Sequence, residues 1–170
     1  MSQTLSKSLI IIVFLFAAAI AHADEGTRFG VGAGILGVGN AFTGAPLVLE
    51  IDTGPVLIDV YGGMALATSA DGSGDEDFGV IAGASAHFVV HSTDSSDFSV
   101  GGGAGLLHLH VDGETDDALL LDGGVRIRLF LVPNVALTAG AGVAALFQEG
   151  SDVVTVGGRL IGNAGVVYFF

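Results

Sequence analysis

Residues 163–170 read NAGVVYFF, an alternating stretch that ends on three aromatic residues. Successive side chains of a strand point to opposite faces, so the alternation splits the stretch into two rows. One row is bulky and apolar and consists of Val166, Tyr168 and Phe170. The other row is mixed and consists of Asn163, Gly165, Val167 and Phe169. A strand with two such faces fits either a soluble sandwich or a sheet whose apolar face meets lipid.

The opposite end of the chain predicts a secretory signal peptide. Residues 1–23 carry one cation, Lys7, then the apolar run Leu9–Ile20 and the small-residue end Ala21-His22-Ala23. The run is shorter than the ~20 residues that a membrane-spanning helix needs. Signal peptidase accepts an end of this kind. We therefore expect residues 1–23 to be cleaved and residues 24–170 to form one domain.

The composition narrows the class of protein. Without Lys7 the chain keeps four Arg against eighteen Asp and Glu, so nucleic acid is disfavoured as a partner. The absence of Cys excludes disulfides and thiol chemistry, and suits a chain that crosses an oxidising periplasm. Hydrophobic residues make up 51% of the chain and Gly supplies 28 positions, which favours strands over helices. Such a chain must bury its apolar surface in a core or in lipid.

Eight segments after residue 23 alternate between apolar and polar or small residues. All but the second reach the ~9–11 residues of a tilted membrane strand. The predicted strands are Thr27–Leu36, Ala45–Asp52, Val56–Thr68, Phe78–His91, Phe98–Val111, Ala118–Leu131, Val135–Gln148 and Val153–Phe170.

The alternation assigns a face to each side chain. It places the four arginines of residues 24–170 opposite the large aliphatic residues, most clearly in Ala118–Leu131. An Arg on lipid at mid-membrane costs ~2–4 kcal/mol, so a barrel demands this segregation. The charged faces also carry many small residues, which suits a narrow lumen. On the same basis Leu107 and Leu109 are predicted to face outward, and His87, His91, His108 and His110 to face inward.

The final eight residues carry a resemblance as well as a pattern. The order polar-x-Gly-x-x-aromatic-x-aromatic, formed by Asn163, Gly165, Tyr168 and Phe170, resembles the terminal-strand signal that the barrel assembly machinery reads. As a pattern, residues 24–170 look like the small eight-stranded outer-membrane barrels of the OmpA transmembrane-domain, OmpX and opacity-protein kind. The resemblance implies an all-β, eight-stranded antiparallel up-and-down transmembrane β-barrel in the bacterial outer membrane. The chain departs from that pattern in having no Trp and only two Tyr, which weakens the interfacial aromatic belt.

Charged residues on the predicted inner faces define the candidate site. An eight-stranded barrel has room for little besides side chains, so inward charges must pair across the lumen. We expect a buried network that fixes register and fills the lumen, formed by Glu50, Asp59, Asp122, Arg126, Arg128 and Arg159. A gated narrow ion path through this network is the alternative.

Other chemistry is weakly supported. His108 and His110 lie ~7 Å apart on one strand, and His87 and His91 do not converge with them, so no metal site or cofactor is expected. Residues 71–82 lack the glycine and the final Glu of a calcium loop. The acidic loops are predicted to be solvated, with weak divalent bridging to anionic head groups as the alternative. No catalytic motif is present, so we do not expect an enzyme.

The sequence thus predicts a structural or interaction barrel with a plugged polar lumen and acidic surface loops. A narrow ion or small-solute channel is the first alternative, and a soluble periplasmic β-sandwich is the second. The expected partners are outer-membrane lipid and lipopolysaccharide, with the barrel assembly machinery during insertion. We expect a monomer that does not bind nucleic acid.

Overall fold

The computed structural model describes residues 26–38, 42–68, 76–111, 114–148 and 159–170. The predicted signal peptide, residues 1–23, and most of the acidic loops lie outside them. None of the described residues forms a helix long and apolar enough to cross a membrane. The strands are β1 (Arg28–Val38), β2 (Phe42–Gly44), β3 (Leu47–Asp52), β4 (Val56–Thr68), β5 (Glu76–Ser92), β6 (Ser96–Val111), β7 (Glu114–Val132), β8 (Val135–Gln148) and β9 (Arg159–Phe169).

The strands form one closed antiparallel sheet. Each strand from β3 to β9 pairs with the next, and β9 returns to pair with β1 from Gly30↔Phe169 to Val38↔Ile161. The short strands β2 and β3 both pair with β1 and together occupy the position of one barrel strand. Between them, the Gly34 N–H of β1 donates a hydrogen bond to the Pro46 carbonyl at 3.2 Å. Counting β2 and β3 as one, the barrel therefore has eight strands, as predicted. Closure into a single sheet contradicts the soluble-sandwich alternative, which requires two packed sheets.

Short turns lie at one end of the barrel, which we call the turn end. They connect β3 to β4, β5 to β6 and β7 to β8, and the first strand begins and the last strand ends beside them. Gly54 adopts a φ of 86° in the first turn, a conformation that residues with a Cβ rarely take. The opposite end, where β4 connects to β5, β6 to β7 and β8 to β9, is called the loop end.

The two faces of the sheet differ as the alternation predicts. In β7, Val125 is 41% exposed on the outer face, whereas its neighbour Arg126 is 4% exposed. Large apolar residues are exposed on the outer face around the barrel, and the buried charged residues lie inside. A soluble barrel has the opposite distribution, since water would surround its exterior. The exterior is therefore suited to hydrocarbon.

Several strand boundaries differ from the predicted ones. β5 begins at Glu76 and β7 at Glu114, so acidic residues assigned to loops belong to strands. Asp97, predicted to lie in a turn, is the second residue of β6. These residues continue the backbone ladder beyond the apolar pattern, because hydrogen bonding between strands does not require apolar side chains. Residues 153–158 of the predicted last strand lie outside the described residues.

The predicted faces of β6 near the loop end were wrong. Leu107 is 2% exposed and packs inside the barrel, whereas His108 and His110 lie on the outer face. His91 also points outward, opposite Phe98, because a bulge between Val89 and His91 shifts the register of β5 by one residue.

Candidate functional site

Glu50 of β3 joins two arginines of β7 across the lumen. Its Oε2 accepts a hydrogen bond from Arg126 Nη2, and its Oε1 accepts one from Arg128 Nη1 at 2.5 Å. All three residues are buried. The ion pairs of Glu50 follow from the strand pattern, because inward side chains on opposite strands of a narrow barrel meet at its axis.

Arg128 binds two further carboxylates. Its Nε donates to Asp97 Oδ2 at 3.1 Å, its Nη2 donates to the same oxygen, and its Nη1 donates to Asp52 Oδ2 at 3.0 Å. Arg28 of β1 donates to that oxygen of Asp52 at 2.6 Å. On the other side, Arg126 Nη1 donates to Asp59 Oδ2. Three arginines and four carboxylates thus form one connected layer.

Burial makes the pairing in this layer necessary. Glu50 and Arg128 are each 1% exposed, so neither charge is solvated by bulk water. Removing one partner of a buried ion pair costs about 3–5 kcal/mol, because it leaves the other charge uncompensated. Only Arg28 is substantially exposed, with 40% of its side chain accessible at the turn end.

Two aromatic rings flank the layer at the turn end. Phe130 of β7 and Phe169 of β9 have ring centroids 6.2 Å apart. The guanidinium carbon of Arg28 lies 5.1 Å and 4.8 Å from these centroids, and that of Arg128 lies 5.2 Å and 5.7 Å from them. These distances suit cation–π attraction. Phe169 therefore connects the last strand to the ion pairs by an inward contact.

A small cavity of about 100 Å³ lies beside the layer, toward the loop end, and several polar side chains reach it. Tyr61, His87, Asp122 and Asn163 are among its lining residues. Within the described part of the chain, Asp59 Oδ1 and His87 Nδ1 are buried without a hydrogen-bond partner. The cavity has room for a few water molecules, each of which occupies ~30 Å³ in the liquid.

The lumen nearer the loop end is apolar, which corrects the prediction of a polar lumen throughout. Tyr61 and Leu109 pack against a buried apolar cluster. The cluster consists of Leu36, Ile81, Leu107, Ala118, Leu120 and Ala144. Inward apolar residues are compatible with a membrane barrel because they pack against one another and fill the interior.

The structure brings together four of the six residues predicted for the network: Glu50, Asp59, Arg126 and Arg128. Asp122 lines the cavity and forms no ion pair with a residue whose side chain the structure describes, so its membership of the network stays a prediction. Arg159 lies in β9, and the position of its side chain lies outside what the structure describes.

Asp52, Asp97 and Arg28 were missing from the predicted network. Asp97 had been assigned to a turn, whereas it lies within β6 and faces the lumen. Asp52 had been predicted as the last residue of strand 45–52, where the turn begins, and it also faces the lumen. Their position next to the turns is the reason that alternation alone missed them. The alternation could have identified Asp52, because Asp52 and Glu50 are two positions apart in one predicted strand and therefore share a face.

The four residues of the predicted assembly signal lie in β9 or directly after it. Tyr168 and Phe170 are exposed on the outer face, with ring centroids 5.6 Å apart. Gly165 and Asn163 lie on the inner face, opposite Gly34 and Leu36 of β1.

No cluster of three or more metal-ligating side chains occurs among residues 26–38, 42–68, 76–111, 114–148 and 159–170. The described geometry instead comprises a closed sheet, an aliphatic exterior and an interior of ion pairs and packed side chains. These features define a small transmembrane β-barrel.

Comparison with solved structures agrees with this class. The chain resembles a major outer membrane protein from Thermus thermophilus, with a TM-score of 0.60, 17% identity and coverage of 85% of this chain and 99% of that one. It also resembles Neisserial surface protein A, with a TM-score of 0.55, 19% identity and coverage of 86% and 98%. The N-terminal β-barrel domain of Pseudomonas aeruginosa OprF gives a TM-score of 0.59, 12% identity and coverage of 85% and 98%. No model of a protein family and no curated protein matches the chain. The chain therefore has the fold of the small eight-stranded outer-membrane β-barrels.

Proposed function

We propose that this protein is a structural or interaction barrel of the bacterial outer membrane whose lumen is closed by its own side chains. The observation that carries the proposal is the connected layer of three arginines and four carboxylates around Glu50 and Arg128. Both central side chains are anchored by more than one ion pair. Moving either would leave buried charges unpaired, at a cost of several kcal/mol.

Packed side chains above and below this layer support closure, with the cavity of about 100 Å³ adjoining the layer toward the loop end. Toward the turn end, Phe130 and Phe169 lie against the arginines. Toward the loop end, the buried side chains of Ile81, Leu107 and Leu120 belong to one apolar cluster. A solute that crossed the lumen would have to displace both the ion pairs and the apolar cluster.

The proposed partners follow from the exterior. Aliphatic side chains such as Ile35, Val125 and Leu137 are exposed on the outer face, where lipid would cover them. We propose that outer-membrane lipid and lipopolysaccharide surround the barrel and that it functions as a monomer without enzymatic activity. Tyr168 and Phe170 would be read by the assembly machinery during insertion. The acidic loops would extend from the loop end into solvent.

Three measurements test the proposal. The barrel should migrate differently on an SDS gel before and after heating, and it should be recovered in the outer-membrane fraction. In planar bilayers it should show no regular conductance steps, because the lumen is closed. Regular steps in the native protein that change when Glu50→Gln opens the layer would instead support the narrow-channel alternative.

A further inference from the structure

His108 and His110 form a pair on the outer face of β6, near the loop end. The two residues are separated by one position, so their Cα atoms lie ~7 Å apart and their side chains share a face. The side chain of His108 is 44% exposed. Both rings lie against Phe78 of β5, with centroid distances of 5.9 Å for His108 and 5.3 Å for His110. The pair is therefore held on a rigid aromatic support while part of its surface stays accessible.

Strand β7 gives each ring a hydrogen-bond partner at the same nitrogen. His108 Nδ1 lies 2.6 Å from Asp117 Oδ1, and His110 Nδ1 lies 3.0 Å from Thr115 Oγ1. A carboxylate can only accept a hydrogen bond, so Nδ1 of His108 is the donor. In neutral His108 the proton therefore lies on Nδ1, and Nε2 keeps its lone pair. This tautomer is the one that binds a metal through Nε2.

The arrangement matches the usual outer shell of a metal-bound histidine. Histidine ligands normally donate their second ring nitrogen to a carboxylate, a carbonyl or a water molecule, which orients the ring and raises its basicity. Asp117 already supplies this contact to His108. Imidazole ligands suit Zn²⁺, Cu²⁺ and Ni²⁺.

Charge favours a cation over an anion at this position. Asp117 carries the carboxylate beside His108, and the chain as a whole has a formal net charge of −13. A field of this sign concentrates cations and repels phosphate groups. We propose that His108 and His110 bind one divalent transition-metal ion through their Nε2 atoms, with water as the remaining ligands. Two protein ligands leave coordination positions open, so the ion is exchangeable.

The test uses the tag-free protein, folded in detergent micelles, titrated with ZnCl₂ by isothermal calorimetry. We expect saturable binding with a stoichiometry of one. His108→Asn and His110→Asn should each weaken binding at least tenfold. Asp117→Asn should weaken it about 10–100-fold, the effect typical of an outer-shell partner. His91→Asn is the matched control, because His91 is also on the outer face but lies near the turn end.

A second measurement separates metal binding from loss of the fold. Each variant should keep the heat-modifiable migration of the native barrel, so that weakened binding reports the site itself. The proposal is overturned if the native protein shows no saturable Zn²⁺ binding, if the two His variants bind as the native protein does, or if His91→Asn weakens binding equally.

Discussion

Glu50 of β3 and Arg126 of β7 form an ion pair across the lumen, although 76 positions separate them in the chain. Glu50 also binds Arg128, so one carboxylate connects the two buried guanidinium groups of β7. This places a single residue at the centre of the layer that closes the barrel.

Replacing that carboxylate should destabilise the fold. Glu50→Gln keeps the shape of the side chain but removes its charge from two buried arginines, and we expect a loss of about 3–5 kcal/mol in the free energy of unfolding. Because the chain has no Trp, unfolding in urea is best followed by circular dichroism and by gel migration. The control is Asp94→Asn, at an exposed turn position, which should change stability by less than about 0.5 kcal/mol. Equal stability of both variants would contradict the proposed role of the layer.

The cation–π contact between Arg28 and Phe169, where β1 pairs with β9, should be measurable as a coupling energy. Arg28 of β1 lies over the ring of Phe169 of β9, with its guanidinium carbon 4.8 Å from the ring centroid. A double-mutant cycle of Arg28→Gln and Phe169→Leu should give a coupling of about 0.5–2 kcal/mol. Additive effects of the two substitutions would show that the contact contributes nothing.

Tyr61 depends on the absence of a side chain at position 83. A Cβ at Gly83 would come within 2.6 Å of Tyr61 Oη and within 2.6 Å of the Ala104 carbonyl oxygen. Gly83→Ala should therefore destabilise the barrel by about 1–3 kcal/mol through overpacking. Gly62→Ala is the matched control in the neighbouring strand and should be tolerated, because a Cβ at position 62 would lie 3.8 Å from its nearest neighbour, the Ile81 carbonyl oxygen. A neutral Gly83→Ala would show that both Tyr61 and the backbone at Ala104 can move at no cost.

A charge on the outer face should destabilise the barrel more strongly the deeper it lies in the membrane. Val125 lies midway along β7, and Leu131 lies beside the turn end. Val125→Arg should lower the free energy of unfolding in lipid vesicles by about 2–4 kcal/mol, and Leu131→Arg by about 0–1 kcal/mol. Equal effects at both positions would argue against a hydrocarbon layer centred on the barrel.

Alternation predicted the fold because one face of most strands is consistently apolar. It also assigned Glu50, Asp59, Arg126 and Arg128 to the lumen, where the structure places them. It failed in β6 because the segment LLHLH offers two possible faces. Preferring His for the lumen was wrong there, since the outer face near the loop end accepts polar side chains and the lumen at that level packs leucines.

Other failures have local causes. The bulge at Val90 reverses the face of His91, and single-residue insertions in a ladder leave no clear trace in an alternating pattern. Asp97 was predicted to lie in a turn and Asp52 at the point where a strand gives way to a turn, although both form ion pairs with Arg128. Which inward charges meet across a lumen depends on strand tilt and register, and neither is fixed by the pattern of one strand.

The most direct test of the account measures which solvent covers the outer face. The chain has no Cys, so a nitroxide label can be attached to a single introduced cysteine at Val125 or, as a reference, at exposed Thr93 in the β5–β6 turn. In lipid vesicles, the label at position 125 should be reached by membrane-dissolved oxygen and shielded from a water-soluble nickel chelate, and the label at position 93 should show the reverse. If the nickel chelate reaches position 125 as readily as position 93, water covers the aliphatic face and the membrane-barrel account is wrong.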